Sequence, residues 1–196
     1  MISIRSSTVM PKTTEPLPES AISRTPIREA LRRLEQERLI ADSGKGSVVL
    51  GITVEDLMDI MSIRKHVEGL VSYYAARNHS DEGIAELKRI VDLHDFYSGK
   101  QDYENMHLLD DQFHQTLCTI SQRPVLRDTR APLLRKTRRY RKISIHYEVR
   151  MMLCAKEHKE ILNAIEAGDP DEAYRTTYQH ISNARENLVQ QLHYSG

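Results

Sequence analysis

From Thr53 to the end of the chain, apolar residues recur at intervals of three and four, the spacing of one face of an α-helix. Thr53, followed by Glu55 and Asp56, predicts a helix start, and that helix runs to about Arg77. Ser80, with Asp81 and Glu82 in the first turn, opens a second helix that reaches about Tyr97, just before Gly99. A third spans about Asp102 to Ser121. Pro124 starts a long helical stretch, open to a kink at Pro132, that continues to about Tyr147; a fifth helix ends at Gly168. Asp169-Pro170 opens the last helix, to about His193. No strand pattern of useful length follows Leu50, so five to seven helices joined by short loops predict an antiparallel bundle.

The first fifty residues carry a different pattern. Residues 1 to 22 hold Pro11, Pro16 and Pro18 among Thr, Ser and Glu with no sustained period, which predicts a mobile tail or degraded helices. Thr25 then reads as an N-cap with Pro26 at the first helical position, where a missing N–H costs nothing. Ile27, Leu31 and Leu34 recur at helical spacing, while Arg24, Arg28 and Arg32 fall four apart on another face, with Arg33 beside them. Leu39-Ile40-Ala41 and Ser47-Val48-Val49-Leu50 flank the turn residues Asp42 to Gly46, the signature of a β-hairpin.

Composition changes this picture little. Of 196 residues, 28 are Lys or Arg and 28 are Asp or Glu, a balance that excludes disordered and membrane classes and leaves any basic module hidden in a neutral average. Cys118 and Cys154 are too few for a disulfide framework or a Cys-based zinc site, and both sit in apolar helical patterns as expected of buried thiols. The start MISIRSSTVMPK lacks a signal-peptide core and no stretch has the apolar length to span a bilayer, so a cytoplasmic protein without membrane partners is expected.

Candidate chemistry lies in the helices. Met106, Leu109, Phe113, Leu117 and Ile120 define a seam, and at about 100° per residue Asp110 lies about 70° from its centre but Asp111 about 170° away. Asp110 is therefore the inward carboxylate, with His114 one turn later on the same side. His158 falls in the seam of Cys154, Ile161 and Ile165, and His180 in that of Ala173, Thr177, Ala184 and Leu188. Inward histidines are ordinarily satisfied core residues, and that reading stands beside the second one, a divalent-metal site for Zn²⁺, Ni²⁺, Mn²⁺ or Fe²⁺.

The runs L-D-D-Q-F-H-Q-T-L at 109 to 117, E-H-K-E-I-L-N-A-I-E-A-G-D at 157 to 169 and Y-Q-H-I at 178 to 181 resemble the FCD effector domain of the FadR branch of GntR transcription regulators. The resemblance implies that Asp110, His114, His158 and His180 hold a divalent metal at the floor of a cavity, and that small carboxylates are the effectors. Arg64 and Glu68, and Arg141, match positions where the family often carries polar groups near that cavity; an internal ion pair or a solvated face is an equal alternative for each.

S-R-T-P-I-R-E-A-L-R-R-L-E at 23 to 35, with the hairpin after it, resembles the recognition helix and wing of the same family. Ser23, Arg24 and Thr25 at a helix N-terminus, then Arg28 and Arg32, would meet phosphates or base edges of an operator, and Ser43, Gly44 and Lys45 the minor groove or backbone. The sequence departs from the family ahead of Ser23, where the two usual apolar helices are missing or reduced to fragments such as Leu17 to Ile22. The expected organisation is thus a tail at 1–22, a partial winged helix-turn-helix at 23–51, and an all-helical, metal- and effector-binding, dimerising domain at 52–196.

Two function classes follow: a ligand-responsive homodimeric regulator reading a palindromic operator, or a metal- and carboxylate-binding protein that has lost productive DNA binding. Three histidines and a carboxylate could also activate water, but no separate general base accompanies them, so an enzyme is not expected.

Overall fold

The structure, a computed structural model, describes the backbone of residues 24–37, 39–44, 46–50, 53–141 and 147–194. The chain divides into two compact units, residues 1–56 and 57–196.

In the first unit, α1 spans Arg24–Gln36 and is followed by β1 (Ile40–Asp42) and β2 (Ser47–Val49). The strands pair antiparallel, with Ile40 opposite Val49 and Asp42 opposite Ser47. The turn needs a left-handed residue, which Gly44 supplies at φ +74°, and Asp42 Oδ1 accepts from the Gly44 N–H at 2.8 Å. The hairpin is closed by Ser43, whose Oγ donates to the Gly46 carbonyl at 2.8 Å. Arg24 is already helical, two residues before the Pro26 start that Thr25 as N-cap predicts, so Thr25 and Pro26 lie within the described helix. Proline is tolerated there because the first N–H groups of any helix lack intrahelical partners.

Six helices make up the rest of the described residues: α2 (Val54–Asn78), α3 (Asp81–Gly99), α4 (Tyr103–Ser121), α5 (Pro124–Arg141), α6 (Tyr147–Glu166) and α7 (Pro170–Tyr194). With the hairpin unit ahead of them, they give the mostly α, antiparallel-bundle fold class that the periodicity predicts. Their starts are those of the capping residues: Thr53 Oγ1 accepts from Asp56 N, Ser80 Oγ from Gly83 N, and Asp102 Oδ1 from Asn105 N. The described part of α5 ends at Arg141 and that of α6 begins at Tyr147, and the expected continuation of the helix through residues 142–146 lies outside the described residues.

Helix α3 packs against α4 and α6, and α6 against α7. Their shared core includes Leu87, Ile90, Phe113, Leu117, Ile161 and Ile165, all almost fully buried. Each such side chain stabilises the fold by about 1.5 to 3 kcal/mol when withdrawn from water. Helix α2 joins through Val71, Ala75 and Ala76, and a buried hydrogen bond from Thr177 Oγ1 to Ser72 Oγ at 2.7 Å ties it to α7. No helix among the described residues is long and apolar enough to cross a membrane.

Candidate metal centre

The seams that form this core also carry polar groups inward. On α4, Asp110 and His114 are buried one turn apart while Asp111 is only half-buried, in line with the angular argument from the seam. His158 is brought in by α6 and His180 by α7, both buried. Nε2 of His114 lies 3.1 Å from Nε2 of His180 and 3.8 Å from Asp110 Oδ1. His158 Nε2 is 3.5 Å from the same Asp110 oxygen. One donor atom from each of the four lies within 4.8 Å of the others.

A divalent ion bound at about 2.0 to 2.2 Å to nitrogen and oxygen would set neighbouring donors about 3.0 to 3.5 Å apart, which is close to these separations. The protonation states suit it as well. Burial, reinforced by the neighbouring His180, pushes the His158 pKa well below the ordinary imidazole value, so its ring is neutral. Neither of its nitrogens makes a hydrogen bond among the described residues, and the ring is stacked on Phe113 with centroids 4.1 Å apart. A buried polar atom without a partner is costly, and a lone pair aimed at a cation resolves that cost.

The two other imidazoles are oriented from behind. His180 Nδ1 lies 2.6 Å from Glu157 Oε2, so its N–H donates to that carboxylate and Nε2 faces the cluster as a free lone pair. Burial brings the His180 pKa down to about 4 against the pull of Glu157. The Glu157 carboxyl falls to about 2: burial opposes ionisation, but the hydrogen bond from His180 and the charge of Arg150 outweigh it. Arg150 Nη2 donates to Glu157 Oε2 at 2.6 Å and to the His180 carbonyl at 3.1 Å.

The far nitrogen of His114 also faces a carboxylate, its Nδ1 3.0 Å from Glu68 Oε2 in an ion-pair contact. Glu68 is fully buried, and despite that burial Arg130 and Arg64 hold its carboxyl well below the usual range. Carboxylates that accept the far N–H of an imidazole fix its tautomer and raise the basicity of its other nitrogen, the usual support for a metal ligand.

The structure therefore brings Asp110, His114, His158 and His180 together. Arg64 is buried in an internal ion pair, its Nη2 2.7 Å from Glu68 Oε1, and reaches the cluster through that residue. Arg141 is the last described residue of α5, with its side chain outside the described residues, and Ser23, Lys45 and the Arg24 side chain also lie outside them. Thr25, Arg28 and Arg32 are exposed on α1, and Gly44 is at the hairpin tip.

Glu157, Arg150, Arg130 and His94 are partners that sequence reasoning missed. Glu157 precedes His158 by one residue and so lies off its seam, and only the approach of α7 gives it His180. His94 had a usable signal, falling in the seam of Leu87, Ile90 and Val91, and its ring is stacked against His158 at 5.2 Å.

The FCD-domain model matches residues 59–183, the segment that carries all four cluster residues. The chain belongs to the FCD family. Among its relatives it is 31% identical over 99 residues to the gluconate operon transcriptional repressor of Bacillus licheniformis, covering 50% of this chain and 41% of that protein. It is 26% identical over 170 residues to the HTH-type transcriptional repressor RspR of Escherichia coli (strain K12), covering 86% of this chain and 75% of that one. The chain thus spans less than half the length of the first relative and three quarters of the second. Its fold is similar to that of E. coli McbR/YncC, with TM-score 0.75 and 21% identity over 87% of this chain and 82% of that one. These relatives are named as repressors of transcription, not as enzymes.

Proposed function

We propose that this FCD protein is a cytoplasmic, GntR-type transcription regulator whose helical domain, residues 52–196, binds a divalent metal and a small carboxylate effector and dimerises. Asp110, His114, His158 and His180 are its ligands. The observation that carries this reading is the neutral, buried His158, whose nitrogens lack hydrogen bonds, beside two imidazoles whose far N–H groups face Glu68 and Glu157. Zn²⁺, Ni²⁺, Mn²⁺ and Fe²⁺ all suit imidazole with carboxylate. The bound ion would offer open coordination positions to an effector carboxylate. Arg64 and Arg141 are assigned to the effector side of the site.

Residues 23–51 are the DNA-binding module. Ser23, Arg24, Thr25, Arg28 and Arg32 meet the operator in the major groove, with Gly44 and Lys45 on the wing, and a homodimer reads two half-sites. Exposure of Arg28 and Arg32 on α1 and the formed hairpin support this reading.

One observation favours a second reading. Ile27, Leu31 and Leu34 on α1 remain 43%, 38% and 37% exposed, so the apolar seam of the recognition helix lacks full cover. In that reading the protein binds metal and carboxylate but no longer binds DNA productively.

Fluorescence anisotropy against the DNA upstream of its own gene separates the two. The regulator reading expects tight binding at low salt that weakens at least about tenfold in Arg28→Ala, the loss of roughly one base contact. A folded dimer that fails to bind at low salt selects the second reading. Elemental analysis of the purified protein tests the metal: about one ion per chain is expected, and none in His114→Ala. An unchanged content in that variant would sink the site.

A further inference from the structure

Outside the metal centre, a groove of about 480 Å³ lies between the outer face of α4 and α5. That volume is in the range of small-molecule sites, about 300 to 1,000 Å³. Its apolar part includes Leu108 and Leu134, and Leu108 leaves 53% of its surface in solvent. Around it stand three guanidiniums, Arg127, Arg130 and Arg135, with Asp111 also in the lining and Asp128 Oδ1 accepting from Arg127 Nε at 2.9 Å. An apolar body with one anionic group matches this surface, because guanidiniums take a planar carboxylate in paired hydrogen bonds.

The groove is also connected to the interior. Arg130 is only 4% exposed, and its Nε lies 3.1 Å from Glu68 Oε2. That same oxygen is 3.0 Å from His114 Nδ1. An arginine of the outer groove thus shares a carboxylate with a member of the metal cluster.

We propose that the α4–α5 groove binds a small organic anion with an apolar body, and that its occupancy is transmitted to the metal centre through Arg130, Glu68 and His114. A carboxylate on Arg130 competes with Glu68 for the guanidinium. Glu68 then becomes a stronger acceptor for the His114 N–H, which raises the basicity of the opposite nitrogen. Anion and metal therefore reinforce each other, and the coupling is reciprocal. The coupling rests on the metal reading above, whereas anion binding in the groove does not.

The test uses the full chain stripped of metal, titrated calorimetrically with benzoate and, as its neutral counterpart, benzamide. Benzoate is expected to bind at one site per chain, about tenfold or more tighter than benzamide. Leu108→Glu, at an exposed position, places a like charge in the groove, and Arg135→Gln removes a guanidinium. Each is expected to weaken benzoate by about tenfold while the Ni²⁺ affinity measured without benzoate stays unchanged. Equal affinity for benzoate and benzamide, or undiminished benzoate binding in both variants, overturns the site.

For the coupling, Ni²⁺ is titrated with and without saturating benzoate. Metal affinity is expected to rise about fivefold in the intact chain and not in Leu108→Glu. An unchanged Ni²⁺ affinity overturns the coupling. A chain that takes up no metal at all overturns the metal reading and the coupling with it, while the benzoate titration still decides the groove.

Discussion

At the residue scale, His180 shows how the site is made: one ring nitrogen is fixed by Glu157, and Arg150 holds both Glu157 and the His180 backbone carbonyl. Replacing Glu157 by Gln keeps the size but removes the charge that orients the ring. We expect metal affinity to fall by about 10- to 100-fold in Glu157→Gln, measured by competition with a chromophoric chelator, with little loss of helix content. The same buried groups set a pH dependence. His158 and His180 have folded-state pKa values below the ordinary 6.5, that of His180 about 4, so below about pH 6.5 the unfolded chain binds protons that the folded chain refuses. Glu157, lowered to about 2, adds stability above its ordinary 4.5 that is lost as pH falls toward 2. Both signs agree: the melting temperature of the metal-free protein is expected to fall steadily from pH 7 to pH 4.5. A flat profile across that window would contradict the buried neutral histidines. Which of two adjacent aspartates faces inward was legible from the α4 seam; that Glu157 and Glu68 stand behind the histidines was not, because their partners are remote in sequence.

At the element scale, the helices were legible because each begins at a residue suited to cap or start it and follows a 3.6-residue period. Their mutual fit was not. Gly69 on α2 faces Tyr174 on α7 so closely that an added Cβ would lie 2.9 Å from the ring. Tyr174 is itself held, its Oη 3.0 Å from His66 Nδ1. Gly69→Val is therefore expected to cost about 1 to 3 kcal/mol through overpacking, read from urea denaturation, although glycine is ordinarily a poor helix residue. Nothing in the residues around Gly69 announces this contact, since a glycine within a helical period reads simply as a weak point. An ion pair between Arg64 and Glu68, four apart on one face, was one of the alternatives open from the sequence; its connection to His114 and Arg130 came only from the packing of α4 and α5 beside α2.

At the scale of the whole molecule, the cluster draws its side chains from three helices, so an ion bound there would stabilise the fold in which those helices meet. Removal of metal by a strong chelator is expected to lower the melting temperature by several degrees, with recovery on adding back the ion, because a ligand that binds only the folded state stabilises it by mass action, by about 2.7 kcal/mol at a hundredfold excess over Kd. An unchanged melting curve would mean that these helices meet without help from a cation. The sequence by itself determined the helical class, the hairpin, the inward faces and the four ligand candidates, because periodicity and capping are local properties that a chain carries at every position. Only the tertiary structure decided which imidazoles meet, which carboxylates stand behind them and which arginines balance those carboxylates, because such contacts join residues as far apart as His114 and His180. Distances across helices depend on how whole faces pack, and a single seam does not encode its partner.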